Sequence, residues 1–158
     1  MDVAAFQNLI SHLTEEIAAV PLDASLEAYL NAEHCAGSPL YERIFDACKI
    51  GVRDGWLCNR EADGIRYGRV LKASEATHGF SVDVVDMENL AGPHHAHPNG
   101  EIDLIMPLTA GACFDSRPAG WCVYEAGSAH RPTVTEGRAL VLYLLPQGAI
   151  RFTEAAAK

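Results

Sequence analysis

Between Gly92 and Leu104 the chain reads GPHHAHPNGEIDL, which sets His94, His95 and His97 within four positions and Glu101 four beyond the last of them. Imidazole and carboxylate side chains bind divalent transition metals, and a set that leaves coordination positions open suits catalysis. His95 and His97 stand two apart, so on an extended strand both point to one face. Pro98-Asn99-Gly100 is turn chemistry that can reverse the chain and return Glu101 toward them. A further histidine, His130, follows Gly127 by three in GSAHRP. His95, His97, Glu101 and His130 together make a donor set for Zn²⁺, Fe²⁺, Mn²⁺ or Ni²⁺. The competing reading is a solvated loop rich in histidine, the ordinary reading for any one of these residues alone. The combination of HxH, a carboxylate and a distant histidine favours the metal. His94 should face away from His95 and serve a ligand or a substrate from outside the cluster. Glu101 has two expected roles, metal ligand or general acid–base.

A second stretch, CNREADGIRYGR over Cys58–Arg69, concentrates cations in an acid-rich chain. If 65–73 is a strand, Arg66 and Tyr67 alternate and only one faces inward. An inward guanidinium requires an anion, and its planar fork suits a carboxylate. Arg66 is therefore the first expected substrate anchor, with Arg60 and Arg131 as rivals; the ordinary alternative is a surface ion pair with Glu61 or Asp63. Tyr67 and Tyr124 could stack on a ring or donate a proton, although barrel-wall tyrosines are commoner. Cys58 could act as a nucleophile only if nearby cations lowered its pKa, so a packed thiol is the expected state.

These groups need a scaffold, and the hydrophobic pattern supplies one. Val3, Phe6, Leu9, Ile10, Leu13 and Ile17 recur at helical spacing behind an Asp2 cap. Pro21 ends that helix; a short second one carries Leu26, Tyr29 and Leu30 behind Asp23, and a third starts at Ser38-Pro39 and is closed by Gly51 and Gly55. From Trp56 the period changes. Short segments at 65–73, 79–87, 101–108, 112–116, 120–124, 139–146 and 149–154 are β-branched or aromatic and mostly separated by turn residues. That many short strands imply a closed barrel or sandwich, which removes exposed edges. The expected architecture is a helical arm over 1–55 and a β-barrel over 56–158, forming one compact unit. The arm's apolar faces must lie on the barrel or on a second subunit, and a homodimer is expected.

Composition removes several classes of function. A net charge of −9 opposes nucleic-acid binding, which requires a basic stripe. No apolar run approaches the ~20 residues that span a bilayer. The acidic N-terminus lacks the charge of a secretion signal, so a cytoplasmic protein is expected. Five cysteines without CxxC spacing suit reduced thiols.

HAHPNGEIDLIMPLTAG resembles the first motif of the cupin superfamily, and GWCVYEAGSAHRPTV the second. Gly120, Gly127 and His130 fit. Glu125 stands where the family prefers Pro, Val134 where it prefers Asn and Leu108 where it prefers Gly, with Gly111 three residues late; these departures touch turns, not ligands. Over nearly the whole chain, GWLCNREADGIRYGRV, GFSVDVVDM, GPHHAHPNGEIDLIMPL and GSAHRPTVTEGRALVLYLLPQGAIRFT resemble the 4-hydroxylaminobenzoate lyase family. The resemblance implies a mainly β, jelly-roll (double-stranded β-helix) fold and a lyase that turns 4-hydroxylaminobenzoate into protocatechuate and ammonia in nitroaromatic breakdown. It implies a small aromatic carboxylate as substrate, and no nicotinamide or flavin, because the N–O bond is itself the oxidant. Glu101, His94 and Tyr67 are the expected proton carriers, and Arg66, Arg60, Arg131 and Tyr124 the expected substrate contacts. Two rival readings keep the site: a metal-dependent dioxygenase acting on an aromatic ring, and a non-catalytic small-molecule-binding cupin.

Overall fold

The computed structural model describes residues 1–153. Three helices open the chain: α1 (Val3–Ile17), α2 (Ala24–Glu33) and α3 (Pro39–Asp54). Asp2 and Asp23 cap the first two by accepting the backbone N–H of Ala5 and Leu26. Each such cap contributes about 1 kcal/mol. Phe6, Leu9, Ile10, Leu13 and Ile17 are buried as their spacing requires, but Val3 and Tyr29 face outward, and Tyr29 donates its hydroxyl to Glu16. Gly55, at φ +85, ends α3. Gly51 does not: it lies inside the helix, where a Cβ would come within 2.7 Å of Leu57, so its role is close packing.

Ten strands follow among the described residues: β1 (Arg60–Ala62), β2 (Ile65–Leu71), β3 (Phe80–Ala91), β4 (His95–His97), β5 (Glu101–Pro107), β6 (Cys113–Phe114), β7 (Gly120–Tyr124), β8 (Ser128–His130), β9 (Thr133–Pro146) and β10 (Arg151–Phe152). A large antiparallel sheet runs β1-β2-β3-β9-β5-β7 with β6 beside β9, and a small one runs β10-β4-β8. The protein is mainly β with a jelly-roll arrangement, but the strands do not close into one hydrogen-bonded barrel as expected. The chain divides the work between two sheets. The strand expected over 112–116 is shortened because Asp115 and Ser116 turn the chain, and Glu154 of the last expected strand lies outside the described residues.

Alternation gives the large sheet two apolar faces. Val82, Val84, Ile102, Leu104, Leu142 and Leu144 point to the helices and form one core with Phe6, Leu30 and Ile44. The helical arm is thus seated on the sheet of its own chain, and the apolar faces that suggested a second subunit are covered without one. Ile105, Cys122, Val141 and Tyr143 point the other way, into the interior that holds the site.

Helix α2 also closes the sheet's edge. β7 is the terminal strand, and its free backbone is taken up by side chains: Asn31 accepts from Trp121 N at 2.8 Å and donates to its carbonyl at 2.9 Å, while Glu27 accepts from Val123 N at 2.9 Å. An edge satisfied in this way cannot template another strand.

Candidate metal centre

The small sheet brings the histidines together. β4 pairs with β8 so that His95 sits opposite His130 and His97 opposite Ser128. Directly opposed residues share a face, so three imidazoles project to one side. Pro98-Asn99-Gly100 then turns the chain into β5, whose first residue is Glu101. Gly100 is at φ +88, and a Cβ there would come within 2.7 Å of the Tyr124 carbonyl oxygen, so this turn needs glycine. His97 and Glu101 are fully buried and His95 is 2% exposed. The ligand-type atoms of His95, His97, Glu101 and His130 all lie within 4.8 Å of one another.

Each ring is held by its other nitrogen. His95 Nδ1 donates to the Pro93 carbonyl at 3.3 Å. His97 Nδ1 donates at 2.9 Å to Ser128 Oγ, whose own proton goes to the Glu125 carbonyl. His130 Nδ1 donates at 2.5 Å to Asp115. All three Nε2 atoms therefore carry lone pairs into the same space. His130 Nε2 is 3.2 Å from His95 Nε2, and His97 Nε2 is 3.1 Å from Glu101 Oε2. His97 Nε2 and both Glu101 oxygens are buried without a hydrogen bond. Converging lone pairs repel unless a cation lies between them, so the donor set fits a divalent transition metal with three imidazoles and a carboxylate.

The surroundings sharpen this electrostatic picture. Burial works to raise the Glu101 carboxyl, whereas a proton placed on the facing Nε2 of His95 or His97 would hold it down at about 2, so the carboxylate favours positive charge in this space. Asp103, two residues on and on the same strand face, is buried with both oxygens unpartnered. Burial and the Glu101 charge push it well above the usual carboxylate range. Asp115 goes the other way: burial opposes ionisation, but hydrogen bonds from His130 and Tyr124 lower its carboxyl. Burial pushes the Tyr143 phenol up, with Glu101 adding to it.

A cleft of about 880 Å³ opens onto this cluster, with His95 and Tyr143 among its lining residues. Tyr67, Arg60, Arg69, Lys72 and Phe152 also line it. Arg66 does not: β2 alternation turns Tyr67 to the cleft and leaves Arg66 exposed on the opposite side, which corrects the expectation that Arg66 points inward. Arg69 is spent on a two-pronged pair with Asp83 at 2.8 and 3.1 Å, whereas Arg60 has no partner among the described residues. Arg131 is exposed and donates to the Gly92 carbonyl at 3.4 Å. Tyr124 is outside the cleft lining; its ring packs on His97 and His130 and its hydroxyl donates to Asp115. His94 is turned from the cluster and bonds Thr153 Oγ1 at 2.6 Å. Cys58 is buried, and burial first, with Asp86 adding, pushes its thiol up to about 12, which removes it as a nucleophile.

Asp103, Asp115 and Tyr143 belong to the site's surroundings but to none of the motifs that mark its ligands. Glu-x-Asp at the head of a strand was a usable signal, since alternation sets both carboxyls on one face. Asp115 had none, because it lies fifteen residues from its partner His130.

The fold and the cluster define a class, a small jelly-roll protein with a buried histidine–carboxylate site that could hold a metal. Solved structures of similar fold include an RmlC-like cupin protein from Ralstonia eutropha JMP134 (10% identical, TM-score 0.45, covering 59% of this chain and 62% of that one). An oxalate oxidase in complex with the substrate analogue glycolate is 23% identical, with a TM-score of 0.45 and coverage of 59% and 57%. The family model described as 4-hydroxylaminobenzoate lyase matches residues 8–152. A 4-hydroxylaminobenzoate lyase of Nocardioides sp. (strain LMS-CY) is 38% identical over 137 residues, 80% of each chain. Another, from Pseudomonas putida, is 30% identical over 147 residues, 82% of this chain and 84% of that one. The chain belongs to the 4-hydroxylaminobenzoate lyase family and is an enzyme of that type.

Proposed function

We propose that the enzyme converts 4-hydroxylaminobenzoate, or a closely related hydroxylaminoarene carboxylate, to protocatechuate with release of ammonia. The observation that carries this reading is the buried His95–His97–Glu101–His130 cluster at the end of a cleft whose wall bears Arg60 and Lys72. The overall change is hydrolytic: substrate and one water give the catechol and ammonia. The N–O bond breaks and takes up two electrons from the ring, so no external oxidant enters.

His95, His97, Glu101 and His130 would hold a divalent metal, which supplies Lewis acidity toward the departing hydroxyl. The rest falls to the chain's own groups. Arg60, with Lys72 beside the same cleft, binds the ring carboxylate and so fixes which end of the substrate faces inward. Tyr67 and Phe152 offer ring faces for the arene to pack on. Departure of the hydroxyl needs a proton, and Tyr67, whose hydroxyl has no partner among the described residues, is the cleft-lining donor. Water then adds at the ring carbon beside the nitrogen. Tautomerisation to an imine and its hydrolysis release ammonia, with a carboxylate as proton acceptor. Glu101 fills that role if it does not serve as a ligand. His94, pinned to Thr153 and absent from the cleft lining, takes no proton step in this scheme.

The test is a joint assay of ammonia and protocatechuate with protein reconstituted with Zn²⁺, Fe²⁺, Mn²⁺ or Ni²⁺ in turn. Glu101→Gln and His130→Ala should each lower turnover by about 10²-fold or more. Full ammonia release in either variant would sink the proposal, and stoichiometric oxygen uptake would transfer the site to ring dioxygenation.

A further inference from the structure

Of the three imidazoles in the cluster, only His130 has its far nitrogen, Nδ1, on a carboxylate; Nδ1 of His95 and of His97 meets a carbonyl and a hydroxyl. The Asp115 carboxylate accepts three donors at once: His130 Nδ1–H at 2.5 Å, the Tyr124 hydroxyl, and the Thr133 backbone N–H at 2.9 Å. The Tyr124 ring packs against both His130 and His97, with centroids 4.5 and 5.2 Å apart. One carboxylate thus reaches two of the four cluster residues, directly and through a tyrosine.

The backbone beneath Asp115 is unusual. Phe114 and Arg117 exchange both backbone hydrogen bonds, at 2.9 and 2.8 Å, which makes Asp115-Ser116 a two-residue hairpin loop. Both residues have positive φ, +49 and +64. Such loops favour Asn and Gly because a side chain is strained there. Aspartate tolerates the conformation better than most residues, and here it gains three hydrogen bonds from it. The turn aims the carboxylate at the site, yet Asp115 does not line the cleft.

We infer that Asp115 is a positioning residue that holds His130 in the Nδ1-protonated tautomer, so that Nε2 faces Glu101 at 3.6 Å and His95 at 3.2 Å. Through Tyr124 it also fixes the ring plane of His97. A charged acceptor on the far nitrogen orients a metal-binding imidazole and strengthens it as a donor, commonly by 10–100-fold in affinity. The chemical class served is a divalent transition metal, and in that respect the inference rests on the metal reading proposed above.

Two substitutions separate the carboxylate from the turn. Asp115→Gly accepts the positive φ without strain and removes the acceptor; Asp115→Asn keeps the turn and a neutral acceptor. In metal-free protein, ¹⁵N–¹H correlation spectra of the imidazoles should show His130 protonated on Nδ1 in the wild type and shifted toward Nε2 protonation in Asp115→Gly. Competition with a chromophoric chelator should show Zn²⁺ binding weakened roughly 10–100-fold in Asp115→Gly. Asp115→Asn should fall between, and Tyr124→Phe should lose less than Asp115→Gly. An unchanged His130 tautomer together with unchanged Zn²⁺ affinity in Asp115→Gly overturns the positioning role and leaves the metal reading standing. A wild-type protein that binds none of the four metals overturns the metal reading; if the tautomer still follows Asp115, the positioning of the ring survives it.

Discussion

Arg60 and Arg66 stand six apart and carry the same charge, yet the structure assigns them opposite surroundings. Arg60 lines the cleft without a protein partner among the described residues, while Arg66 points away from it. If Arg60 binds the substrate carboxylate, it acts equally in the ground and transition states, because that carboxylate does not react. Arg60→Ala should then raise KM about 3- to 10-fold with kcat nearly unchanged. Arg66→Ala should leave both constants at wild-type values. Steady-state kinetics on 4-hydroxylaminobenzoate decide it, and the Arg60 effect should shrink with added salt because the side chain is exposed. The thiols offer a separate check. Cys35 is exposed, whereas Cys48, Cys58 and Cys122 are buried. A disulfide reagent at pH 8 should label Cys35 in the native protein, with those three reacting only after unfolding.

Elements convert these residue properties into a site. The turn before β5 carries the most weight, because it ties the HxH strand to the carboxylate. Gly100→Ala adds a Cβ at positive φ against a backbone oxygen and should cost about 1–3 kcal/mol. It should also displace Glu101, so urea unfolding and Zn²⁺ affinity should both fall. This turn was legible in the sequence, since Pro-Asn-Gly has a mechanism as a reversal, and so were the Asp2 and Asp23 caps and the shared face of His95 and His97. The direction of Arg66 was not. Alternation fixes that only one of Arg66 and Tyr67 faces inward; which one depends on how β2 is seated on β3. The extension of β9 back to Thr133 was hidden for a related reason. Its first half contains Glu136, Gly137 and Arg138, which read as loop, and it is held in the sheet by pairing with β3 and β6. Pairing of distant segments overrides local propensity.

At the scale of the whole molecule, the buried thiols set an alkaline limit. Burial raises Cys48, and holds Cys58 at about 12 and Cys122 at about 11, against an ordinary value of 9.0. A thiol with a raised folded pKa contributes stability that is complete below 9.0 and is lost as pH climbs through the folded value. Denaturant midpoints measured from pH 8 to 11 should therefore decline above about 9, and replacing Cys122 with Ala should flatten that decline. A metal acts in the opposite sense. Bound only by the folded chain at a hundred times its Kd, it adds about 2.7 kcal/mol. For a chain of this length that raises the thermal midpoint by roughly 5–10 °C, readable by calorimetry on chelator-treated protein with and without Zn²⁺.

The division of the ligands between the sheets has a mechanical consequence. His95, His97 and His130 belong to the three-stranded sheet, and Glu101 to the seven-stranded one. A cation gripped by all four is a rivet through two plates. The three-stranded plate has short strands, so its amides should exchange with solvent by breathing motions far below global unfolding. Fastening the rivet should slow exchange at Ala96 and Ala129 by closing off this local breathing, whereas β3 and β9, which open only with the whole fold, should slow only by the factor of about a hundred that the added global stability carries. The same breathing sets how fast the ion is taken up or lost. The exchange rate of the smaller sheet and the off-rate of the metal should then rise and fall together across variants of β4 and β8.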